Sequence, residues 1–158
     1  MRFPAHAVVA AVAASQLAAS LGLAAGPEEV VLRGRAVCLD AAGAPAAEGR
    51  DCEDEPPGGW ALRDPTATLH RLSSEDQRVA MLSDGRVRSR DLEVVAWRYE
   101  DGRLAIVHLY SLIDGRRHDP HYYCSVCAIR ANTPGLCWCC QAPFEFREPP
   151  VEGSSPLE

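Results

Sequence analysis

Val94-Val-Ala-Trp-Arg-Tyr-Glu-Asp-Gly-Arg-Leu-Ala-Ile-Val-His-Leu-Tyr-Ser-Leu-Ile113 contains two strand patterns and the turn between them. Val94–Tyr99 and Arg103–Ile113 are rich in β-branched and aromatic residues, and Glu100-Asp-Gly102 has the composition of a tight hairpin turn. Leu104–Ile113 is apolar on both faces, which predicts a central strand covered on each side. The chain is therefore expected to be built on an antiparallel sheet.

Further strand patterns lie upstream of this hairpin. Val30–Leu39 alternates apolar and arginine side chains, as a half-buried strand does. Four shorter patterns separated by turn residues follow it: Trp60–Arg63, Thr66–Leu72, Arg78–Leu82 and Arg86–Leu92. No long stretch beyond residue 25 has helical periodicity, so an all-β fold is expected. A meander closed into a small barrel, of which an OB-like barrel is one form, would leave no exposed edge strand.

Residues 1–25 have the composition of a secretory signal peptide. Arg2 precedes an apolar stretch rich in Ala, Val and Leu, which ends in small residues near Ala25. We expect its removal, and hence a periplasmic or secreted protein without stable membrane insertion. An uncleaved anchor or a cytosolic helix is the alternative, because Gln16 interrupts the apolar run. The formal net charge of −6 argues against a nucleic-acid ligand, since phosphate neutralisation supplies most of that affinity.

Cys38 and Cys52 bracket a loop rich in Ala, Gly, Pro and acidic residues. In an oxidising compartment, a disulfide between them would close a short loop and stabilise the domain by about 3 kcal/mol. The alternative is two unrelated thiols, with Cys38 buried and Cys52 exposed. We expect the disulfide if the chain is exported.

Five of the seven cysteines lie in Tyr122-Tyr-Cys-Ser-Val-Cys-Ala-Ile-Arg-Ala-Asn-Thr-Pro-Gly-Leu-Cys-Trp-Cys-Cys-Gln141. This stretch contains two C-x2-C pairs, separated by nine residues that include the turn Pro134-Gly135. Two residues between thiols let both sulfurs of one turn point to the same place, and two such turns can form a tetrahedral cage. One zinc ion is the expected cofactor, with iron as the alternative, and the candidate ligands are Cys124, Cys127, Cys137 and Cys140.

Three other residues near the cage are weaker candidates for a role in metal binding. His118 and His121 precede the first cysteine pair and could hydrogen-bond the metal ligands from outside, or replace a missing thiol. Four thiols already suffice for zinc, so direct ligation by either histidine is not expected. Cys139 is expected to be a bystander, although it could replace Cys140 as a ligand or form a vicinal disulfide with it.

The segment from about Tyr123 to Phe146 resembles a minimal zinc ribbon and, more narrowly, the short heavy-metal-binding module of bacterial metal-export proteins. The resemblance lies in the aromatic-cysteine pair Tyr123-Cys124 and in the ending Pro134-Gly-Leu-Cys-Trp-Cys-Cys140. It implies that Cys137 and Cys140 are ligands of a second knuckle, and that Cys124 belongs to the first.

Two departures from that resemblance bear on the metal. Val126 and Cys127 stand where the export module has Met-His, which favours a zinc-like set of four thiolates over a copper site. Ala128 and Gln141 stand where knuckle turns commonly have glycine, whose positive φ lets backbone amides reach the sulfurs.

Together these patterns predict four segments: a signal peptide (1–25), a β-barrel-like domain (28–121), a four-cysteine hairpin (122–147) and a disordered tail (148–158). Sequence motifs of hydrolases and phosphate-binding enzymes are absent, so a non-catalytic role is expected. The predicted function is an exported metal-binding protein, with a structural zinc site on a β domain that binds an unidentified protein partner. The alternatives are periplasmic metal delivery or sensing, and thiol-disulfide redox chemistry at Cys137 and Cys140.

Overall fold

The computed structural model describes residues 26–46, 52 and 57–153. The predicted signal peptide and the last five residues of the predicted tail lie outside the described residues. The all-β fold class is confirmed, because the two helical segments are short: a 3₁₀ turn (Val79–Ser83) and the single-turn helix α1 (Gly85–Arg88). The strands are β1 (Glu28–Cys38), β2 (Trp60–Arg63), β3 (Leu69–Arg71), β4 (Asp91–Arg98), β5 (Leu104–Ile113), β6 (Arg116–His118), β7 (His121–Cys124), β8 (Ile129–Ala131) and β9 (Glu145–Arg147).

These strands form two antiparallel sheets. The large sheet has the order β3-β2-β1-β4-β5-β6, and the small sheet has the order β8-β7-β9. The predicted hairpin is β4–β5, whose turn contains Gly102 at a φ of 80°. Asp114 and Gly115 join β5 to β6 with positive φ at both positions, as a two-residue type I′ turn requires. Only one face of β5 is well covered, since Leu109 is buried whereas its neighbour His108 is exposed.

The first strand has different partners along its length. Glu28–Gly34 pairs with β4, and Arg35–Cys38 pairs with β2 on the opposite edge. Gly34 lies at the change of partner, where a Cβ atom would be 2.1 Å from the carbonyl oxygen of Arg63. Only glycine allows the two backbones to approach so closely. No strand of the described chain pairs with the edge of β1 that faces away from β4 between Glu28 and Arg33.

Two of the predicted strands are wrong. Arg78–Leu82 lies largely in the 3₁₀ turn, and Arg86–Arg88 belongs to α1. The Asp84 carboxylate accepts a hydrogen bond from the Arg86 amide at 2.8 Å, which caps the first turn of α1. The helical segments place their apolar side chains in the core without strand pairing, and the fully buried ones are Leu82 and Val87.

The described part of the large sheet is not a closed barrel. A single parallel bridge joins Leu72, just after β3, to Leu104 at the start of β5, and the Ser73 amide donates to the Leu104 carbonyl at 2.8 Å. This bridge brings β1–β5 close to the arrangement of a partly open five-stranded barrel. The helical segments after β3 stand in the chain where the sequence predicted two further strands, and they pair with neither edge of the sheet.

One hydrophobic core serves both sheets. Its largest members from the large sheet include Leu62, Leu92 and Leu104, all fully buried. Tyr122 of β7 and Ala131 of β8 belong to the same cluster, with partly buried aromatic residues of the small sheet packed against it. The boundary predicted between residues 121 and 122 therefore separates two sheets, but it does not separate two cores.

Residues 148–151 pack along β6. The Asp119 amide donates to the Pro149 carbonyl and the Val151 amide donates to the Arg117 carbonyl, each at 2.9 Å. Glu148 forms an ion pair with Arg90 at 3.1 Å. The prediction of a disordered tail from residue 148 does not fit these four residues, because they complete the pairing of the outer edge of β6.

Candidate metal centre

Four cysteine sulfurs form a compact cluster at one end of the small sheet. The Sγ atoms of Cys124, Cys127, Cys137 and Cys140 all lie within 4.8 Å of one another, and those of Cys124 and Cys140 are 3.5 Å apart. Four thiolates around a tetrahedral zinc ion, each about 2.3 Å from the metal, would be about 3.8 Å apart. The structure thus brings the four predicted ligands together at a spacing that fits one metal ion.

Each cysteine pair lies in its own tight turn. The first turn connects Cys124 at the end of β7 to Ile129 at the start of β8. The second begins at Cys137, whose carbonyl accepts a hydrogen bond from the Gln141 amide at 2.8 Å. The Cys137 amide donates to the Ala142 carbonyl, also at 2.8 Å. The two turns therefore face each other from two separate places in the chain.

The residue that follows each pair adopts the left-handed backbone conformation. The φ angle is 54° at Ala128 and 61° at Gln141. These are the positions at which the sequence lacks the glycine that knuckle turns commonly use. The knuckle conformation forms without glycine, at a conformational cost of about 1 to 2 kcal/mol for each residue.

Backbone amides approach one sulfur in each turn. The amides of Cys127 and Val126 contact the Cys124 sulfur, and those of Cys140 and Cys139 contact the Cys137 sulfur. With the Cys140 amide as the largest cause, these contacts lower the pKa of Cys137 to about 7. Such amide dipoles stabilise thiolate, the form of cysteine that binds a metal.

The pKa values of Cys127 and Cys124 are shifted in the opposite direction, upward. The pKa of Cys127 is raised, first by the Cys139 thiol and then by the Cys140 thiol, with burial adding to the effect. The Cys127 amide lowers the pKa of Cys124, but burial and the neighbouring thiols outweigh it and the net shift is upward. Without a cation, Cys137 therefore ionises more readily than Cys124 or Cys127.

The centre is buried on one side and open on the other. The side chains of Cys124 and Cys137 are buried, whereas Cys127 and Cys140 lie nearer the surface and Cys139 is exposed. Trp138 contacts Phe144 edge to face at a centroid distance of 5.5 Å. Large apolar side chains of the two turns also remain exposed: Val126, Leu136 and Trp138.

A polar contact connects the four-cysteine hairpin to the N-terminus of α1, between β3 and β4 of the large sheet. The Tyr122 hydroxyl, two residues before the first ligand, donates to the Asp84 carboxylate. Arg86 forms an ion pair with Asp84 at 2.6 Å and stacks over the Phe146 ring at 4.2 Å. These contacts, led by Arg86, lower the pKa of Asp84 to about 2, and burial raises the pKa of Tyr122. This contact was not predicted from the sequence, although Asp84 before Gly85 is a helix-capping signal.

The two histidines are directed elsewhere. Nδ1 of His118 is 3.0 Å from the Glu148 carbonyl oxygen, and Nδ1 of His121 is 2.8 Å from that of Asp119. Among the described residues, the group of potential ligand atoms around the centre contains the four sulfurs and neither imidazole. The histidines therefore fix the strand that leads to the centre, and their predicted contact with the cage is not found.

Cys38 and Cys52 form the predicted disulfide. Their Sγ atoms are 2.00 Å apart, and their Cα atoms are 5.8 Å apart, within the usual range for a disulfide. The bond ties the end of β1 to the loop before β2, away from the small sheet.

Comparisons of the chain with protein-family models, with curated proteins and with solved structures find no match. The part of the chain that the structure describes has no helix long and apolar enough to cross a membrane.

Proposed function

We propose that the protein is an exported zinc-binding protein in which one zinc ion, held by Cys124, Cys127, Cys137 and Cys140, stabilises the C-terminal hairpin. The observation that carries this proposal is the cluster of four sulfurs within 4.8 Å of one another. The strands β8 and β9 have three residues each, so their pairing alone supplies little stability. Zinc binding is worth on the order of 10 kcal/mol and would outweigh the ordering of this segment.

Zinc is the favoured metal because all four candidate donors are cysteine sulfurs close enough to share one ion, a donor set that also suits iron. Four protein ligands complete the zinc coordination sphere, whereas a catalytic zinc ion keeps one position for water or substrate. The donor set therefore supports a structural role and a non-catalytic protein.

Export is supported by two observations that do not involve the metal. Residues 1–25 have the composition of a signal peptide, and Cys38 and Cys52 form a disulfide of the kind that persists in oxidising compartments. Bound zinc would hold the other cysteines as thiolates and protect them from oxidation. Export predicts an intact mass that begins near Gly26 and a protein found outside the cytosolic fraction.

The zinc site is tested by measuring metal content in single variants. Each of Cys124→Ser, Cys127→Ser, Cys137→Ser and Cys140→Ser should abolish stoichiometric zinc and raise amide hydrogen exchange across residues 122–146, because three thiolates leave the cage open. Cys139→Ser is the matched control and should keep zinc near one ion per chain. Purified wild-type protein without metal, with these cysteines in disulfides, would overturn the proposal.

Metal delivery is a second candidate, supported by a specific observation. The exposed Cys139 thiol contacts Cys127, which is one of the outer ligands of the centre. An extra thiol beside an outer ligand could help a competing metal acceptor to reach the zinc ion. A delivery protein should therefore release zinc rapidly to a chelator. Slow release that Cys139→Ser leaves unchanged would support the structural role.

Thiol-disulfide catalysis has less support. The Cys137 sulfur is buried, whereas exchange requires an attacking thiolate that reaches another disulfide. A protein partner and a periplasmic or secreted location are parts of the proposal that fractionation and affinity capture would test.

A further inference from the structure

The unpaired edge of β1 is the feature that carries a further inference. Over Glu28–Arg33, β1 pairs with β4 on one side, and no strand of the described chain pairs with it on the other. The open edge ends near Gly34, where β2 comes within reach of β1 and pairing with β2 begins. An open edge of this length presents a row of free backbone donors and acceptors to another strand.

The side chains along this edge form a charge pattern that is complementary to itself. Glu29, Val31 and Arg33 share the outward face, and Val30 and Leu32 point toward the core. Val31 is 54% exposed, which is high for an apolar side chain in a sheet. Glu29 has no ion pair within the described chain, and Arg33 keeps 45% of its side chain exposed despite its ion pair with Glu93.

We propose that two copies of this chain form a dimer by antiparallel pairing of their β1 edges, with Val31 opposite Val31 on the two-fold axis. In this register Glu29 of each copy lies opposite Arg33 of the other, and Val30 lies opposite Leu32. Two ion pairs then flank an apolar centre on the outward face. The two large sheets join into one continuous sheet of twelve strands through the paired β1 edges.

The alternative registers are less favourable. In a continuous sheet, opposite residues must lie on the same face. The two β1 strands can therefore shift against each other only by two residues at a time, which moves the two-fold axis by one residue. Centring on Val30 would place Glu29 opposite Val31, and centring on Leu32 would place Arg33 opposite Val31. Only centring on Val31 places opposite charges together.

The dimer is tested by light scattering of the purified protein over a dilution series. Val31→Lys places two ammonium groups opposite each other on the two-fold axis, and Glu29→Arg places a second guanidinium group opposite Arg33. Each change should raise the dimer dissociation constant about tenfold or more, because Val31→Lys creates one pair of like charges on the axis and Glu29→Arg creates two symmetric pairs. Glu100→Arg, the same charge change in the exposed β4–β5 turn, is the control and should leave the dimer intact.

Folding is checked independently in every variant. Circular dichroism should show the wild-type β signal, and zinc content should be unchanged, because residues 29 and 31 are exposed and distant in sequence from the metal hairpin. In the wild-type dimer, amide exchange at residues 29–33 should be slowed, and this protection should be lost in the two variants. A monomeric mass for the wild-type protein at all concentrations, or a dimer that persists in both folded variants, would overturn the proposal.

Discussion

The large sheet and the cysteine hairpin are stabilised in different ways. The large sheet has continuous strand pairing, a hydrophobic core and the Cys38–Cys52 disulfide. The hairpin has strands of three or four residues, exposed apolar side chains and a cluster of four sulfurs. In the proposed zinc-bound form, thiolate ligands would supply the stability that such short strands lack, as they do in other small metal domains.

The two regions are nevertheless joined by Tyr122. Its ring is buried in the shared core and contacts Phe146 at a centroid distance of 5.6 Å, and its hydroxyl bonds to Asp84. Separate segments with a boundary between residues 121 and 122, as the sequence predicted, would let the β domain fold without the hairpin. The shared core leads to the opposite expectation, because removal of Tyr122 would leave a cavity below the large sheet.

The largest effect is therefore expected from Tyr122. Tyr122→Ala should lower the free energy of unfolding by about 3 to 5 kcal/mol, the range for removing a buried aromatic ring. A fragment that ends at residue 121 should lose its cooperative melt. Tyr122→Phe is the control, because it keeps the ring and should cost only about 1 to 3 kcal/mol for the lost hydrogen bond to a carboxylate. A fragment with a wild-type melt would show that the two regions are independent.

The second-largest effect is expected from loss of the disulfide, and it should leave the metal site unchanged. Replacing both Cys38 and Cys52 by serine should lower the free energy of unfolding by about 3 kcal/mol, since the bond closes a loop with a sequence separation of 14 residues. Zinc content should not change, because the disulfide lies outside the sulfur cluster. Denaturant unfolding and metal analysis of the same sample measure both quantities, and loss of zinc would contradict the separation of the two regions.

Much of this architecture was predictable from the sequence, and the reasons are local. Alternating apolar residues identified β1 and the β4–β5 hairpin, and the spacing of the thiols identified the four ligands. The helical segments after β3 were missed because Arg78–Leu82 and Arg86–Leu92 also alternate. What decides their conformation is the cap at Asp84 and the gap in the core that Val79 and Val87 fill.

The contact between the two regions was not predictable because it is tertiary. Nothing in the neighbourhood of Tyr122 in the sequence indicates Asp84, which precedes it by 38 residues. The positive φ at Ala128 was indicated only by its place after a cysteine pair, because the alanine itself gives no sign of the left-handed conformation.

A third effect concerns acid stability at the contact between the regions. The folded-state pKa of Asp84 is about 2, below the ordinary carboxyl value of about 4, so the ionised form stabilises the fold above pH 4. This contribution is lost as the pH falls from about 4 to about 2. Asp84→Asn keeps the helix cap and should cost about 1 to 2 kcal/mol at neutral pH, with the difference from wild type disappearing toward pH 2.

The control for this pH dependence is Asp91→Asn, which removes an exposed ion pair with Arg35. Its difference from wild type should be small, because exposed ion pairs contribute little. Unfolding measured over the acid range in both variants tests the assignment, and equal profiles for the two would contradict it.

The smallest effect is expected within the hairpin itself. Ala128→Gly should raise the free energy of unfolding of the zinc-loaded protein by about 1 kcal/mol, because glycine relieves the left-handed strain at a φ of 54°. Ala105→Gly, at an ordinary position in β5, is the control and should lower the free energy of unfolding by about 0.5 to 1 kcal/mol. The same sign for both changes would show that Ala128 is not strained.

The place of Tyr122 and Ala131 in the core also sets an order of events during synthesis. Chains emerge from the ribosome with the N-terminal residues first, and domains fold as their residues become available. The large sheet would be fully translated while two of its core positions were still missing, since these come from β7 and β8. Completion of the core and strand pairing along β6 by residues 149–151 would then have to wait until residues 122–151 are available. A chain interrupted before residue 140 would lack both the Cys140 sulfur and the strand β9, so the cluster and the small sheet would fail together.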